Sequence, residues 1–286
     1  MSKITVVSLI YKSPAYARGF HDALIRSTPE IATGEVDFFY VANNANKRTL
    51  RELERMRVKF YKFNRKELNL KEHEATGFAK PEYLSRVYAA YNYAIQKSST
   101  DYVLLLNSDM VMAPGWFQAM KNHLNPDLLL SPSLVERNHP KFGVFPGATM
   151  HNFGFNFRSF KWSEWTEFCK NASLEKKPIL LDGGPYMPSV VSRSRVLTVG
   201  GFPEGNIRGK SYLDVSEYGD EHLFNKLGSQ GIKHQSITNV FCYHFKEGEM
   251  NSDLFSFYKS LIYPFLLRFL KNILRPTYKY LKLKNI

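Results

Sequence analysis

Two cysteines in 286 residues, Cys169 and Cys242, are too few for a disulfide framework, and no CxxC or Cys/His spacing offers a zinc site. Reduced, buried thiols suit a cytoplasmic compartment, so the sequon Asn171-Ala172-Ser173 carries no expectation of glycosylation. No run approaches the roughly 18 uncharged apolar residues that a spanning helix needs. The opening MSKITVVSLIYKS has an apolar run too short and strand-like for a signal peptide, with no small-residue cleavage site. Neither GxGxxG after the first strand nor GxxxxGK[ST] occurs, which disfavours a dehydrogenase-type or P-loop site. Acids are scarce at the C-terminal end: seven cations from Lys259 to Lys284 face one acid, Asp253.

What is present is an ordinary globular balance, 44% hydrophobic and 23% charged, which excludes extensive disorder. The first half alternates strand and helix patterns. Ile4 to Ile10 reads as a buried strand followed by the loop Tyr11-Lys12-Ser13-Pro14 and a helix around Ala17 to Arg26. Val36 to Ala42 is a second strand, ending in Asn43-Asn44-Ala45-Asn46. Thr49 to Arg57 reads as helix, Val58 to Phe63 as strand, and Pro81 to Gln96 as a helix with apolar spacing at Leu84, Val87, Tyr88, Tyr91 and Ala94. Such alternation predicts βαβ units and an α/β fold with a parallel sheet. From Leu130 to Leu180 the aromatic, Gly-, Asn- and His-rich composition suits a lined groove or irregular packing.

The stretch DYVLLLNSDMVMAPGW, Asp101 to Trp116, carries the most chemistry. Tyr102 to Leu106 fits an interior parallel strand, and ligands in such sheets bind outside the carboxyl ends of the strands. Asn107, Ser108 and Asp109 stand at that end, with hard oxygen atoms suited to a divalent cation and a diphosphate. A turn before a helix at Pro114 is the plainer reading of the same residues.

Together these pieces resemble the inverting glycosyltransferases of family 2, with the GT-A fold, over Ile4 to Phe245. The helix carrying Arg86 and Asn92, followed by TDYVLLLNSDM, resembles the family's approach to its DXD metal motif, with Asn107 in place of the first Asp. Val199-Gly200-Gly201-Phe202-Pro203-Glu204 resembles the GGFxE turn. Gly219-Asp220-Glu221-His222-Leu223-Phe224-Asn225-Lys226 resembles the ED-x-x-L-x-x-R helix start. The resemblance implies a Rossmann-like, mixed but mainly parallel sheet flanked by helices. Residues 1–125 would form the nucleotide-sugar half and 126–250 the acceptor and catalytic half.

It also implies the site residues. Asp220 falls on the catalytic base, with Glu221 the second choice and Gly219 where the family has an acid. Tyr11, Asn43, Arg86, Asn107, Ser108 and Asp109 fall on the nucleotide-sugar site, Asn43 lying where an Asp is more usual. Asp109, Asn107 and His244 would bind Mn²⁺ or Mg²⁺, and Lys246 to Glu249 would form a mobile loop by the leaving group. The implied donor is a UDP-, dTDP- or GDP-sugar and the acceptor a glycan or lipid-linked hydroxyl. Each residue has a plainer alternative: Asp220 as a helix cap, His244 as a core histidine, and Asp182-Gly183-Gly184-Pro185, expected to border the acceptor, as a tight turn.

The segment 251–286 interleaves Phe, Leu, Ile and Tyr with Lys and Arg and is broken by Pro264 and Pro276. It reads as a basic amphipathic helical tail on an anionic membrane surface, giving a peripheral protein on the inner face, or as a packing helix with a solvated basic face. Three other readings stand beside the transferase. A nucleotidyltransferase lacks its phosphate-cradling loop here. A nucleic-acid-binding protein lacks any recognised module, so nucleic acid is a disfavoured partner. An inactive transferase is suggested by Asn107 and Gly219 standing in place of acids.

Overall fold

The computed structural model describes residues 3–65, 81–140, 143–175, 178–203 and 219–246. The basic tail, Glu204 of the glycine turn and 247–249 of the expected loop lie outside the described residues.

Four apolar runs form the parallel part of the sheet. Strand β1 (Ile4–Ile10) pairs with β2 (Val36–Asn43) on one side and β4 (Tyr102–Leu105) on the other, and β3 (Phe60–Phe63) adds beyond β2. β1 and β4 are apolar on both faces because helices cover both. Helix α1 (Pro14–Ser27) packs Tyr16, Phe20 and Leu24 with Ile4 and Val6, whereas α4 (Pro81–Lys97) packs Tyr88, Tyr91 and Ile95 with Val7 and Leu105. Opposite faces for Val6 and Val7 follow from the two-residue period of a strand.

Local chemistry sets the helix ends. Ser13 caps α1, its hydroxyl accepting from the Tyr16 N–H, and Pro14 occupies the first helical position, where its missing N–H costs nothing. Asn46 caps α3 (Lys47–Met56), accepting from the Thr49 N–H at 2.9 Å. At the other end of α3, Arg57 is left-handed and the Val58 N–H bonds back to Leu53. That bond draws Val58 into the helix terminus, so β3 starts at Phe60, two residues later than expected.

The second half turns the sheet mixed. β9 (Ser189–Ser192) runs antiparallel between β4 and β6 (Leu128–Glu136), and β10 (Lys233–His244) lies parallel to β6. Beyond β10, β8 (Leu180–Asp182) pairs with its first part and β5 (Met110–Met112) with its end, both antiparallel. With β7 (Thr149–Met150) beside β6, ten strands among the described residues make one sheet. Short helices α2 (Glu30–Thr33), α5 (Trp116–Lys121) and α7 (Arg193–Thr198), with the longer α6 (Trp162–Glu175) and α8 (Gly219–Ser229), complete the flanks. The helix expected at Pro114 begins at Trp116, with left-handed Gly115 as its cap.

The aromatic segment resolves mainly into core. Phe153 packs edge-on, and Phe160 and Trp165 tilted, against Tyr243, whose hydroxyl donates to the Gly154 carbonyl at 2.8 Å. Phe145, Met150 and Phe155 remain exposed. Among the described residues, no helix is long and apolar enough to cross a membrane.

Candidate active site

The turn Asn107-Ser108-Asp109 follows β4, and Met110 begins β5. Because β5 pairs antiparallel with β10, Met110 lies opposite His244 and Asp109 is brought beside its ring. Asp109 Oδ2 is 3.3 Å from His244 Nε2, and the Asp109 carbonyl accepts from the Phe245 N–H at 3.0 Å. On the other side of β10, parallel register sets Glu136 opposite His244. His244 Nδ1 lies 2.9 Å from Glu136 Oε1, while Lys246 Nζ at 2.6 Å and the Phe145 N–H at 2.6 Å hold Oε2.

These groups set one another's charge. Burial lowers the His244 pKa, but Asp109 and Glu136 outweigh it and bring the value up to about 9. Burial raises the Glu136 carboxyl, yet hydrogen bonds from His244 and Lys246 carry it below its usual range. Lys246, expected to open a mobile loop, is anchored by this pair and by its hydrogen bond to the Gly143 carbonyl.

The donor set fits a divalent cation. A ligating histidine commonly gives its second ring nitrogen to a carboxylate, the part Glu136 plays here. Ligand atoms about 2.1 Å from one octahedral ion stand about 3 Å apart, close to the Asp109–His244 spacing. Among the described residues no group of three or more His, Cys, Asp and Glu side chains is arranged around a metal position. That suits an ion held by one or two protein groups plus a diphosphate. Asn107 Oδ1 is already engaged, accepting from the Tyr91 hydroxyl at 2.8 Å.

That bond is one of four by which α4 ties the sequence motifs together. Asn92, one residue further, donates to the Phe202 carbonyl at 2.9 Å and accepts from the Phe202 N–H at 2.8 Å, fixing the glycine turn. Gly201 there is left-handed, and a Cβ on it would overlap Asn92 Oδ1. Tyr88, one helical turn earlier, stacks on the Phe202 ring at 5.1 Å and donates its hydroxyl to Asp220 Oδ1 at 3.0 Å. Burial raises the Asp220 pKa, and the Tyr88 hydrogen bond opposes the rise. Glu221 follows in the first turn of α8, its N–H donating to Asp220 Oδ1 at 3.1 Å. A Cβ on Gly219 would overlap the Tyr88 ring, so no acid fits there while Tyr88 holds this position.

At the ends of β1 and β2, Tyr11 has Lys12 Nζ at 4.8 Å and the Arg86 guanidinium at 5.7 Å from its ring centre. Burial, then the nearby Arg86 charge, lowers the Lys12 pKa. Asn43 ends β2 almost fully buried, and its Oδ1 has no hydrogen-bond partner among the described residues. Its neighbours have structural work: Asn44 is left-handed and brackets the Arg65 backbone through both amide atoms, and Asn46 caps α3. Ser108 is buried in the turn. Asp182 ends β8, and the segment after it is tied to the sheet rather than closed as a tight turn: the Gly183 N–H donates to the His234 carbonyl and the Pro185 carbonyl accepts from Ser131.

Glu136, Lys12, Tyr88 and Tyr91 did not emerge from the sequence as site residues. Glu136 lacked a motif, and the two tyrosines were absorbed into the apolar stripe of α4. Their polar tips at one helical turn's spacing were the available signal.

Residues 79–179 match the model of glycosyl transferase family 2. A search by sequence finds no matching curated protein. Three solved structures share the fold. One is GalNAc-T7 with UDP, GalNAc and Mn²⁺: 10% identity, TM-score 0.51, 85% of this chain and 43% of that one. A second is mannosyltransferase PcManGT from Pyrobaculum calidifontis with GDP-Man and Mn²⁺: 14% identity, TM-score 0.51, 87% and 59%. A third is S. aureus TarS 1–349 with UDP-GlcNAc: 13% identity, TM-score 0.50, 88% and 61%. The chain thus spans less than two thirds of each of these proteins.

Proposed function

We propose that this chain, whose residues 79–179 match the glycosyl transferase family 2 model and whose fold is shared with the solved glycosyltransferases above, transfers a sugar from a nucleoside-diphosphate donor to an acceptor hydroxyl with inversion. The observation that carries this reading is Asp109 Oδ2 set 3.3 Å from His244 Nε2, with His244 Nδ1 held on Glu136, at the end of the parallel sheet.

Asp109 and His244 are the residues that would hold Mn²⁺ or Mg²⁺, and such a cation supplies charge stabilisation to a departing diphosphate. The nucleotide would lie over the ends of β1, β2 and β4. There Asn43 offers a desolvated acceptor to a base N–H, and Tyr11 offers an aromatic face. Lys12 and Arg86 place positive charge beside Tyr11, where the diphosphate's charge would be met.

Asp220 takes the acceptor's proton. As the acceptor oxygen bonds to the anomeric carbon, that carbon's bond to the phosphate oxygen breaks, and the electron pair leaves with the diphosphate. Burial raises the Asp220 pKa, which makes it a better base than an exposed aspartate. This assignment prefers Asp220 to Glu221. A glycan or lipid-linked acceptor would approach from the 126–250 half, and a basic tail at 251–286 on an anionic membrane would keep the enzyme near a lipid-linked one.

Incubating the full chain with UDP-, dTDP- and GDP-sugars and Mn²⁺ tests the proposal. One donor should release its nucleoside diphosphate, first yielding a sugar of inverted anomeric configuration, and Asp220→Asn should reduce the rate at least a hundredfold. Retention of configuration, or an undiminished rate in Asp220→Asn, contradicts the assigned mechanism.

A further inference from the structure

Asp220 and its neighbours show a relationship that the family resemblance does not supply. The acid expected before Asp220 is Gly219, and the volume an acid would need is taken by the ring of Tyr88. Tyr88 is 7% exposed and is fixed from both sides: its ring stacks on Phe202, whose backbone is clamped by Asn92, and its hydroxyl reaches Asp220. The hydrogen bonds from the Tyr88 hydroxyl and from the Glu221 N–H both fall on Oδ1 of the carboxylate.

We infer that Tyr88 is a positioning residue for Asp220, holding Oδ1 so that Oδ2 is the oxygen presented to the acceptor hydroxyl, and that Gly219 is glycine to admit the tyrosine ring. A neighbouring acid would repel Asp220; a buried phenol orients it without adding charge. Tyr88 and Gly219 therefore form an exchange pair, one bulky and one small, across α4 and α8. The departure at 219 becomes a different way of supporting the same base, not a lost catalytic group.

The inference rests on the transferase reading for its consequence, but the contact is testable without any donor. In full-length protein labelled with ¹³Cγ-aspartate, the Asp220 signal is assigned by its absence in Asp220→Asn and followed through a pH titration. A hydroxyl donating to the ionised carboxylate stabilises that form, so Tyr88→Phe should raise the Asp220 midpoint by about one pH unit. If one donor is turned over, the acidic limb of its kcat/KM profile should move up with that midpoint. Gly219→Ala supplies a second route, because its methyl displaces the ring and should raise the midpoint as well. A Tyr88→Phe protein that loses thermal stability while the Asp220 midpoint stays where it was would overturn the positioning role. So would an unmoved midpoint in Gly219→Ala, should Tyr88→Phe fail to fold. Moved midpoints with no turnover of any donor would instead uphold the contact and count against the transferase reading.

Discussion

Asp109 and His244 meet at 3.3 Å because β5 and β10 are antiparallel partners with Met110 opposite His244. Strand register brings together two residues far apart in the chain, and it places Glu136 on the opposite side of the same ring.

Glu136 is the support on which this arrangement depends. It is 1% exposed and holds two cations, so Glu136→Gln leaves His244 and Lys246 short of a buried countercharge. The expected loss is about 3 kcal/mol of stability, in the range seen when one member of a buried pair is removed. Mn²⁺ affinity should fall tenfold or more as the ring loses its orientation. Urea unfolding and metal titration of the variant measure the two effects separately.

Asn43 gives a prediction of opposite sign for stability and binding. A buried amide oxygen without a partner destabilises a fold by about 1–3 kcal/mol, so Asn43→Leu should leave the protein as stable or more so. If Asn43 receives a base N–H, the same variant should bind its nucleotide at least tenfold more weakly. Thermal unfolding and calorimetric titration with UDP, dTDP and GDP check this, and a stable variant with unchanged nucleotide affinity would remove Asn43 from the site.

Asn92 holds the glycine turn through both of its amide atoms. Asn92→Ala strands the Phe202 N–H and carbonyl in a buried place, a loss of about 2–4 kcal/mol by urea denaturation. Asn92→Asp keeps the acceptor but not the donor and should lie between wild type and Ala at neutral pH.

His234 sets a pH dependence of stability away from the site. Burial among Tyr186, Phe224 and Ser131 brings its pKa down to about 4, below the unfolded value near 6.5. Between those values the unfolded chain holds the extra proton, so this contribution is intact above about pH 6.5 and is lost progressively toward pH 4. At pH 5 the loss is about 2 kcal/mol. Comparing urea midpoints at pH 8 and pH 5 for wild type and His234→Gln should show a smaller drop in the variant.

Much of this architecture was legible from the residues. Continuous apolar runs marked β1, β2 and β4, and the strand-to-turn switch at Leu106-Asn107 marked the end where the candidate site lies. The second half was less readable because its contacts are non-local. Glu136 gains its role from register with β10, and Phe153, Phe160 and Trp165 become core only when Tyr243 and Phe245 arrive from the far end of the chain. Gly219 looked like a deficit in the motif because its meaning depends on a ring from α4. Asn107 looked like a metal ligand, and the structure adds Tyr91 as the partner of its amide oxygen.

The most direct test of the central claim is calorimetric binding of UDP-, dTDP- and GDP-sugars, with and without Mn²⁺, to wild type and to Asp109→Ala. A donor that binds with Mn²⁺ and loses at least tenfold in affinity without the metal or without the Asp109 carboxylate is the predicted result. Binding of no donor under any of these conditions, or binding indifferent to both changes, would contradict a metal-assisted nucleotide-sugar site at Asp109 and His244.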